Sequence, residues 1–373
     1  MASNTPTLPG RAFPIRLHIE PRATTPRWLA PAISIGAVAL ALLIGAAILA
    51  LAGGDPIAAY GQIARSSFGS IDVFSDTLVK AIPLMLVGLA CALAFRMRLW
   101  NIGAEGQFYM GAWGASAVVL APLVGPETSR WITIPLMALA GMAAGAVWGF
   151  IPGVLKARFN VNEIISTLML NYIAIAWVDY FIFGVWSEGG FQMSATFPRN
   201  AWLPRLTDFA AQVRVFSGLT THLGLAFALA AAVVVWWILS YSRWGYEIRL
   251  IGDNPRAAEY AGVPIARQIM LVLMTSGALA GLAGMSEISG VVHRLQGAIS
   301  PGYGFTGIIV AWLAKLNPFA IILVAILFGA LILAGREIQP SGIPKMIQGI
   351  VLVCLIASDF LLRYRVRLRR VER

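Results

Sequence analysis

The chain has 373 residues, of which 58% are hydrophobic and only 12% charged, and its formal net charge is +11. Soluble domains carry about 25% charged residues, so this composition excludes an ordinary soluble enzyme. The positive balance would suit nucleic acid, but no folded basic module carries it. The basic residues stand in short loops and tails, most densely in the C-terminal RYRVRLRRVER. Beside a membrane helix, that pattern marks topology and contact with anionic lipid.

Hydropathy predicts an all-α polytopic membrane protein with ten spans, at about 30–53, 77–96, 103–124, 131–155, 162–184, 222–241, 267–290, 303–314, 318–335 and 344–362. A span needs about 20 apolar residues. The eighth is short and polar at its start, which suits a broken or re-entrant piece. The first could be a signal peptide, since Ala50-Leu51-Ala52 resembles a cleavage site, but its long apolar run and long basic leader favour a retained helix. The domain reading is a basic tail over 1–29, a membrane domain over 30–362 and a second basic tail over 363–373. Two large loops interrupt the membrane domain, at about 185–221 and 242–266. Ten spans put both tails on one side, and 19 of the 28 Lys and Arg residues then fall on that side. The positive-inside rule makes it cytoplasmic.

The third span opens with RMRLWNIGAEGQFYMGAWGA, which places Asn101, Glu105 and Gln107 at a membrane boundary. Burying charge in a membrane is costly, and intramembrane polar residues face a partner or a cavity. These three are either a helix cap with tight packing or the polar lining of a passage. In the fifth span Glu163, Thr167 and Asn171 are four apart and share one helix face, turned to a neighbouring helix or to the same path. Asp179 lies near its outer end.

The loop IGDNPRAAEYAGVP predicts a short helix. Asn254 is the N-cap, Pro255 the first helical position, and Arg256, Ala257, Ala258, Glu259, Tyr260 and Ala261 the body; Gly262 ends it and Pro264 prevents its resuming. Such a helix is unstable alone, so the segment is either a surface turn or a rigid peg for a cytoplasmic partner, which would pack against its alanines with Arg256 and Glu259 at the rim.

In the seventh span Gly277, Gly281 and Gly284 offer a face for close helix packing, and Glu287 beyond them suits an outer gate. Tyr303 and Phe305 open the eighth span, where either ring could stack on a solute. IGAEGQFYMGAW and PGYGFTGIIVAW both open with glycines and end in Ala-Trp, which hints that spans 2–5 and 7–10 are inverted repeats. Cys91 and Cys354 are small core residues. His18, His222 and His293 have no ligand spacing, so no metal or other cofactor is expected. Gly-Lys never occurs, so the chain has no P-loop of its own.

Five stretches in order, NIGAEGQFYMG, NEIISTLMLNYIA, GDNPRAAEYAGV, SGALAGLAGMSEISG and GYGFTGIIVAWLAKLNP, resemble the permease subunits of ATP-binding-cassette importers. The likeness is to the branch handling branched-chain amino acids, simple sugars and nucleosides, and most of all to nucleoside-type permeases. Thr306 and Trp312 depart from the pattern. The resemblance implies ten helices in an inverted repeat and no catalysis by this subunit. It implies ATPase subunits docking on the 254–262 coupling helix, a second permease (self or paralogue) and an extracytoplasmic solute-binding protein. The location implied is the bacterial inner membrane, with alternating access as mechanism. A simple-sugar permease and an ion-coupled secondary transporter are the alternatives.

Overall fold

A computed structural model describes residues 15–21, 26, 28–121, 123–335 and 342–370. The basic positions Arg11, Arg22, Arg27 and Arg373 lie outside the described residues. All ten predicted spans are helices: α1 (Leu29–Leu51), α3 (Ile71–Arg96), α4 (Ala104–Leu120), α5 (Arg130–Phe159), α6 (Glu163–Phe183), α7 (Gly224–Tyr241), α10 (Ile265–Glu287), α11 (Tyr303–Leu313), α12 (Pro318–Ala334) and α13 (Ile343–Arg363). Among the described residues, six helical segments are long and apolar enough to cross a bilayer by themselves.

Among the described residues, three α-helices fall outside the predicted spans. One is α2 (Pro56–Phe68), where Asp55 accepts from the Ile57 and Ala58 amides at 2.9 and 3.2 Å. The other two are α8 (Arg243–Asp253) and α9 (Pro255–Tyr260), which together fill the predicted loop at 242–266. The two terminal segments are also joined: strand β1 (Ile15–Pro21) pairs antiparallel with β4 (Tyr364–Arg370). A small hairpin, β2 (Ser187–Glu188) with β3 (Phe191–Ser194), sits in the long loop before α7.

The helix at the centre is α3, buried at every residue from Val79 to Phe95. An apolar surface all round suits a helix enclosed by others. It packs against α10, α11 and α12, while α10 packs against α3, α4 and α5. Each repeat's first helix thus lies against the second and third helices of the other repeat, which is the arrangement of an inverted repeat. The α5–α10 contact relies on missing side chains: a Cβ on Gly145 or Gly277 would stand 2.2 Å from the other's carbonyl oxygen. Small residues allow this approach, as the glycines of the seventh span predicted.

The eighth span is a half-helix. Its 11 residues make about 16 Å at 1.5 Å per residue, against a hydrocarbon core of about 30 Å. Its N-terminus meets that of α4. Gly103 and Gly302 are the two N-caps, equivalent positions when the two Ala-Trp motifs are aligned. The next equivalent pair after the first helical residues is Glu105 and Gly304, and these touch: the Gly304 amide donates to Glu105 Oε2 at 2.6 Å. Equivalent residues in contact are what an internal two-fold axis produces.

Candidate solute cavity and its entrance

Lys80 on α3 is buried, only 6% exposed. Its Nζ donates to Glu287 Oε1 at 3.1 Å and to Tyr303 Oη at 3.4 Å. Three elements meet there: α3, the end of α10 and the start of α11. Tyr303 is held from behind by Phe108, ring centroids 5.7 Å apart. Lys80 and Glu287 line a cavity of about 340 Å³, with Val291, Ile299, Lys345 and Gln348 among the other walls. Small-molecule sites begin at about 300 Å³. Gln348 Oε1 accepts from Thr306 at 3.2 Å, tying α13 to α11.

Two further cavities lie on the side away from α9. One, of about 190 Å³, shares Lys80 and Val291 with the first and adds Asp76, Thr220 and Arg205. The other, of about 390 Å³, shares Arg205 and adds Arg130, Arg199, Trp202 and Asp208. Shared residues make a series from a basic mouth to the Lys80–Glu287 pair. At the mouth, Arg205 donates to the Gly290 carbonyl at 2.9 Å and to His293 Nε2 at 2.8 Å. His293 stacks on Trp202 with centroids 3.7 Å apart, and Arg199 lies 4.2 Å over the Trp202 ring. The collar is fixed by backbone bonds from the long loop: the Phe197 amide donates to His293 O and the Leu203 amide to Ser289 O.

The predicted site residues are distributed unevenly around this cavity. Glu287 lines it. Asn101 and Gln107 bond each other reciprocally at 2.8 and 3.1 Å, and Asn101 also donates to Ser276, whose hydroxyl reaches the Ala90 carbonyl. Both amides are fully buried, and this network joins α3, α4 and α10. Glu105 caps α11, where a helix N-terminus favours an anion. The stripe on α6 faces α4: Asn171 accepts from the Gly106 amide at 2.8 Å and donates to Ile102 O at 3.0 Å. Thr167 bonds back to Glu163 O, and Glu163 pairs with Lys156 at 3.0 Å. Phe305 is 46% exposed, on the open side of α11.

The predicted coupling segment forms as a capped helix. Asn254 Oδ1 accepts from the Ala257 amide at 3.2 Å, and Gly262 takes φ +74° just beyond the end. One expectation is corrected: Ala258 is wholly buried within the chain, so a partner cannot pack on it. Tyr260, 94% exposed, projects instead. Behind α9, α8 is locked to α10. Trp244 donates to Gln268 Oε1 at 2.7 Å, and Gln268 donates to Glu247.

Sequence reasoning missed Lys80 and Arg205. Lys80 stood three residues inside the predicted second span, where a lysine ordinarily snorkels to the interface. The helix begins at Ile71 instead, which moves Lys80 into the interior. Arg205 lay in a loop with no periodicity to mark it.

A family model described as the permease component of branched-chain amino acid transport systems matches residues 73–356. This chain is a permease of that family. The permease is 35% identical over 362 residues to a glucose ABC transporter permease of Haloferax volcanii, covering 94% of both chains. It is 37% identical over 339 residues to a guanosine ABC transporter permease of Bacillus subtilis, covering 88% of this chain and 93% of the other. It is 33% identical over 331 residues to a nucleoside ABC transporter permease of Lactococcus lactis, covering 86% and 88%. Permease subunits of this kind are not themselves enzymes.

Proposed function

We propose that this permease imports a neutral, polyhydroxylated solute, foremost a nucleoside, through the Lys80–Glu287 cavity by alternating access. The observation that carries the reading is the buried ion pair on the cavity wall. It offers a charged donor and a charged acceptor to hydroxyls and ring heteroatoms. Its two charges offset one another, so an uncharged solute enters without leaving a net buried charge. The guanosine and nucleoside permeases among the relatives support a nucleoside. The glucose permease at 35% identity supports a simple sugar as the second reading.

In this reading the end bearing α9 is cytoplasmic, in the inner membrane of a bacterium, and both termini lie on that side. ATPase subunits engage the exposed face of α9 through Arg256, Glu259 and Tyr260. The solute-binding protein delivers solute at the mouth lined by Arg130, Arg199 and Arg205. A second permease, a paralogue or another copy, completes the assembly against the open side of α11, where Phe305 stands. Asn101, Gln107, Glu163, Thr167 and Asn171 serve as pins that keep α3, α4, α6 and α10 rigid while the cavity changes its access.

The test is uptake into vesicles holding the permease with its ATPase, binding protein and second permease. Labelled guanosine, uridine, glucose and leucine are compared. ATP-dependent uptake of nucleosides is the expected result. ATP-dependent uptake of glucose alone moves the assignment to the second reading. Uptake by the single chain driven by an ion gradient overturns the importer reading altogether.

A further inference from the structure

Between the Lys80–Glu287 pair and the mouth, the chain departs from α-helical geometry. α10 ends at Glu287, and Ile288–Val292 form a π-turn, closed by the His293 amide donating to the Ile288 carbonyl at 2.7 Å. His293 then takes φ +58°, a left-handed conformation uncommon outside glycine. A π-turn holds one residue more than an α-turn and recurs at functional sites. This one stands where two cavities meet. Val291 and Lys80 line both the cavity of about 340 Å³ and the cavity of about 190 Å³ towards the mouth. A side chain that lines two neighbouring spaces is part of the wall between them.

The long loop before α7 holds this turn by its carbonyls. The Leu203 amide donates to Ser289 O at 2.9 Å. Arg205 donates through Nε and Nη2 to Gly290 O at 3.3 and 2.9 Å. The His222 ring lies so close to Gly290 that a Cβ there would stand 2.5 Å from its Nε2. His222 Nδ1 accepts from the Gly224 amide at 3.1 Å, so the ring proton sits on Nε2. That Nε2 is buried and has no hydrogen-bond partner among the described residues, and the same holds for the Ser286 and Ser289 hydroxyls. Buried polar groups are ordinarily paired. Three orphaned ones around a single turn mark an arrangement that has an alternative. The alternative acceptor is adjacent: once Arg205 releases it, the Gly290 carbonyl is free to take the His222 proton.

We propose that this π-turn is the gate on the mouth side of the cavity, with Val291 as the closing side chain and Arg205 and His222 as alternative partners of the Gly290 carbonyl. With Arg205 bound, the turn keeps its extra residue and Val291 divides the two cavities. Relaxation to an α-turn, with His222 on the carbonyl, rotates Val291 by about 100°, one residue's share of a 3.6-residue turn, and joins them. Glu287 precedes the turn, so the pair with Lys80 survives the opening and no buried charge is stranded. The gate's role rests on the proposed solute path through this cavity.

The test labels Val291→Cys in the assembled transporter with a small impermeant thiol reagent added from the mouth side, the native Cys91 and Cys354 being buried. Rates are compared without nucleotide and with ATP trapped by vanadate. A several-fold difference between the two states is expected at position 291, and none at Val215→Cys, on the exposed part of the loop. Adding Arg205→Gln is expected to give the faster rate in both states, and adding His222→Phe the slower rate in both. Equal rates at position 291 in the two states, or a difference that neither second substitution alters, overturns the gate and leaves the solute path standing. Where a second substitution prevents assembly, the comparison of states in Val291→Cys alone decides. Uptake is then measured on the labelled transporter and is expected to be lost. State-dependent labelling that leaves uptake of every solute intact overturns the gate and the path together.

Discussion

Lys80 and Glu287 are each under 10% exposed, and each makes the other tolerable. Removing one partner of a buried pair strands the other, at a cost of about 3–5 kcal/mol. Lys80→Met is therefore expected to abolish transport and to lower the melting temperature sharply. Lys80→Met with Glu287→Gln should recover much of the stability and none of the transport. Equal transport in the double variant would separate the pair from the solute path. Glu105 belongs to a different function. Its carboxylate holds the Gly304 amide at the mouth of α11, a charge-assisted bond of about 1.5–3 kcal/mol. Glu105→Gln keeps the shape and loses the charge, so thermal stability should fall while solute preference stays unchanged.

His293 gives a pH signature. Arg205 can only donate, so the His293 Nε2 it reaches must accept, and the ring is neutral in this arrangement. Burial, with the Arg205 and Arg199 charges, holds His293 down at about 4, against opposing effects from Ser289 and Asp208. The ordinary value is 6.5, so a loosened mouth binds the proton that the closed mouth refuses. The closed arrangement is fully stable above pH 6.5 and weakens as pH falls from 6.5 towards 4. Melting temperature against pH should show this slope in the native chain and a reduced slope in His293→Gln. Identical slopes would remove His293 from the mouth's pH response.

Among the elements, the spans were legible because bilayer thickness sets a length that composition displays directly. The shortness of the eighth was legible for the same reason. Elements beside the membrane were less so. Helices α2 and α8 are too short and too polar for a hydropathy reading, although Asp55-Pro56 and Ser242 carry the cap chemistry that starts them. The pairing of β1 with β4 was invisible because its partners are more than 340 positions apart in the chain and pairing at that distance leaves no local pattern. The polar residues of α4 and α6 stood out in the sequence as packing groups or path lining, but sequence cannot say whether such a group faces a neighbour or a cavity. Here Asn171 meets backbone groups of the α4 N-terminus. Two predictions belong at this scale. Gly281→Val would press a Cβ to 2.2 Å from the Gly141 carbonyl and should prevent α5 and α10 from seating, seen as loss of folded protein. Gln268→Ala frees α8 from α10 and should lower solute-stimulated ATPase activity while basal hydrolysis stays near native.

For the whole molecule, the fold brings the half-helix start at Tyr303 beside the buried Lys80–Glu287 pair that lines the cavity, and a series of cavities sharing Lys80 and Arg205 runs from there to a basic mouth. α3 links the pair to α8: Gly252 of α8 packs so closely on Arg96 that a Cβ would stand 2.1 Å from its carbonyl oxygen, and Lys80 lies farther along the same helix. A push on α9 can therefore reach the ion pair through packed backbone. Tyr260→Ala, at the exposed tip, should impair transport with little change in melting temperature.

The most direct test of the cavity as the solute path uses Gln348→Cys in the assembled transporter, since the native cysteines Cys91 and Cys354 are both buried. Alkylation at position 348 is measured with and without nucleoside and ATP, followed by uptake. Slower labelling in the presence of solute, and loss of uptake once labelled, is the result predicted. Labelling at an unchanged rate that leaves uptake intact would place the path elsewhere.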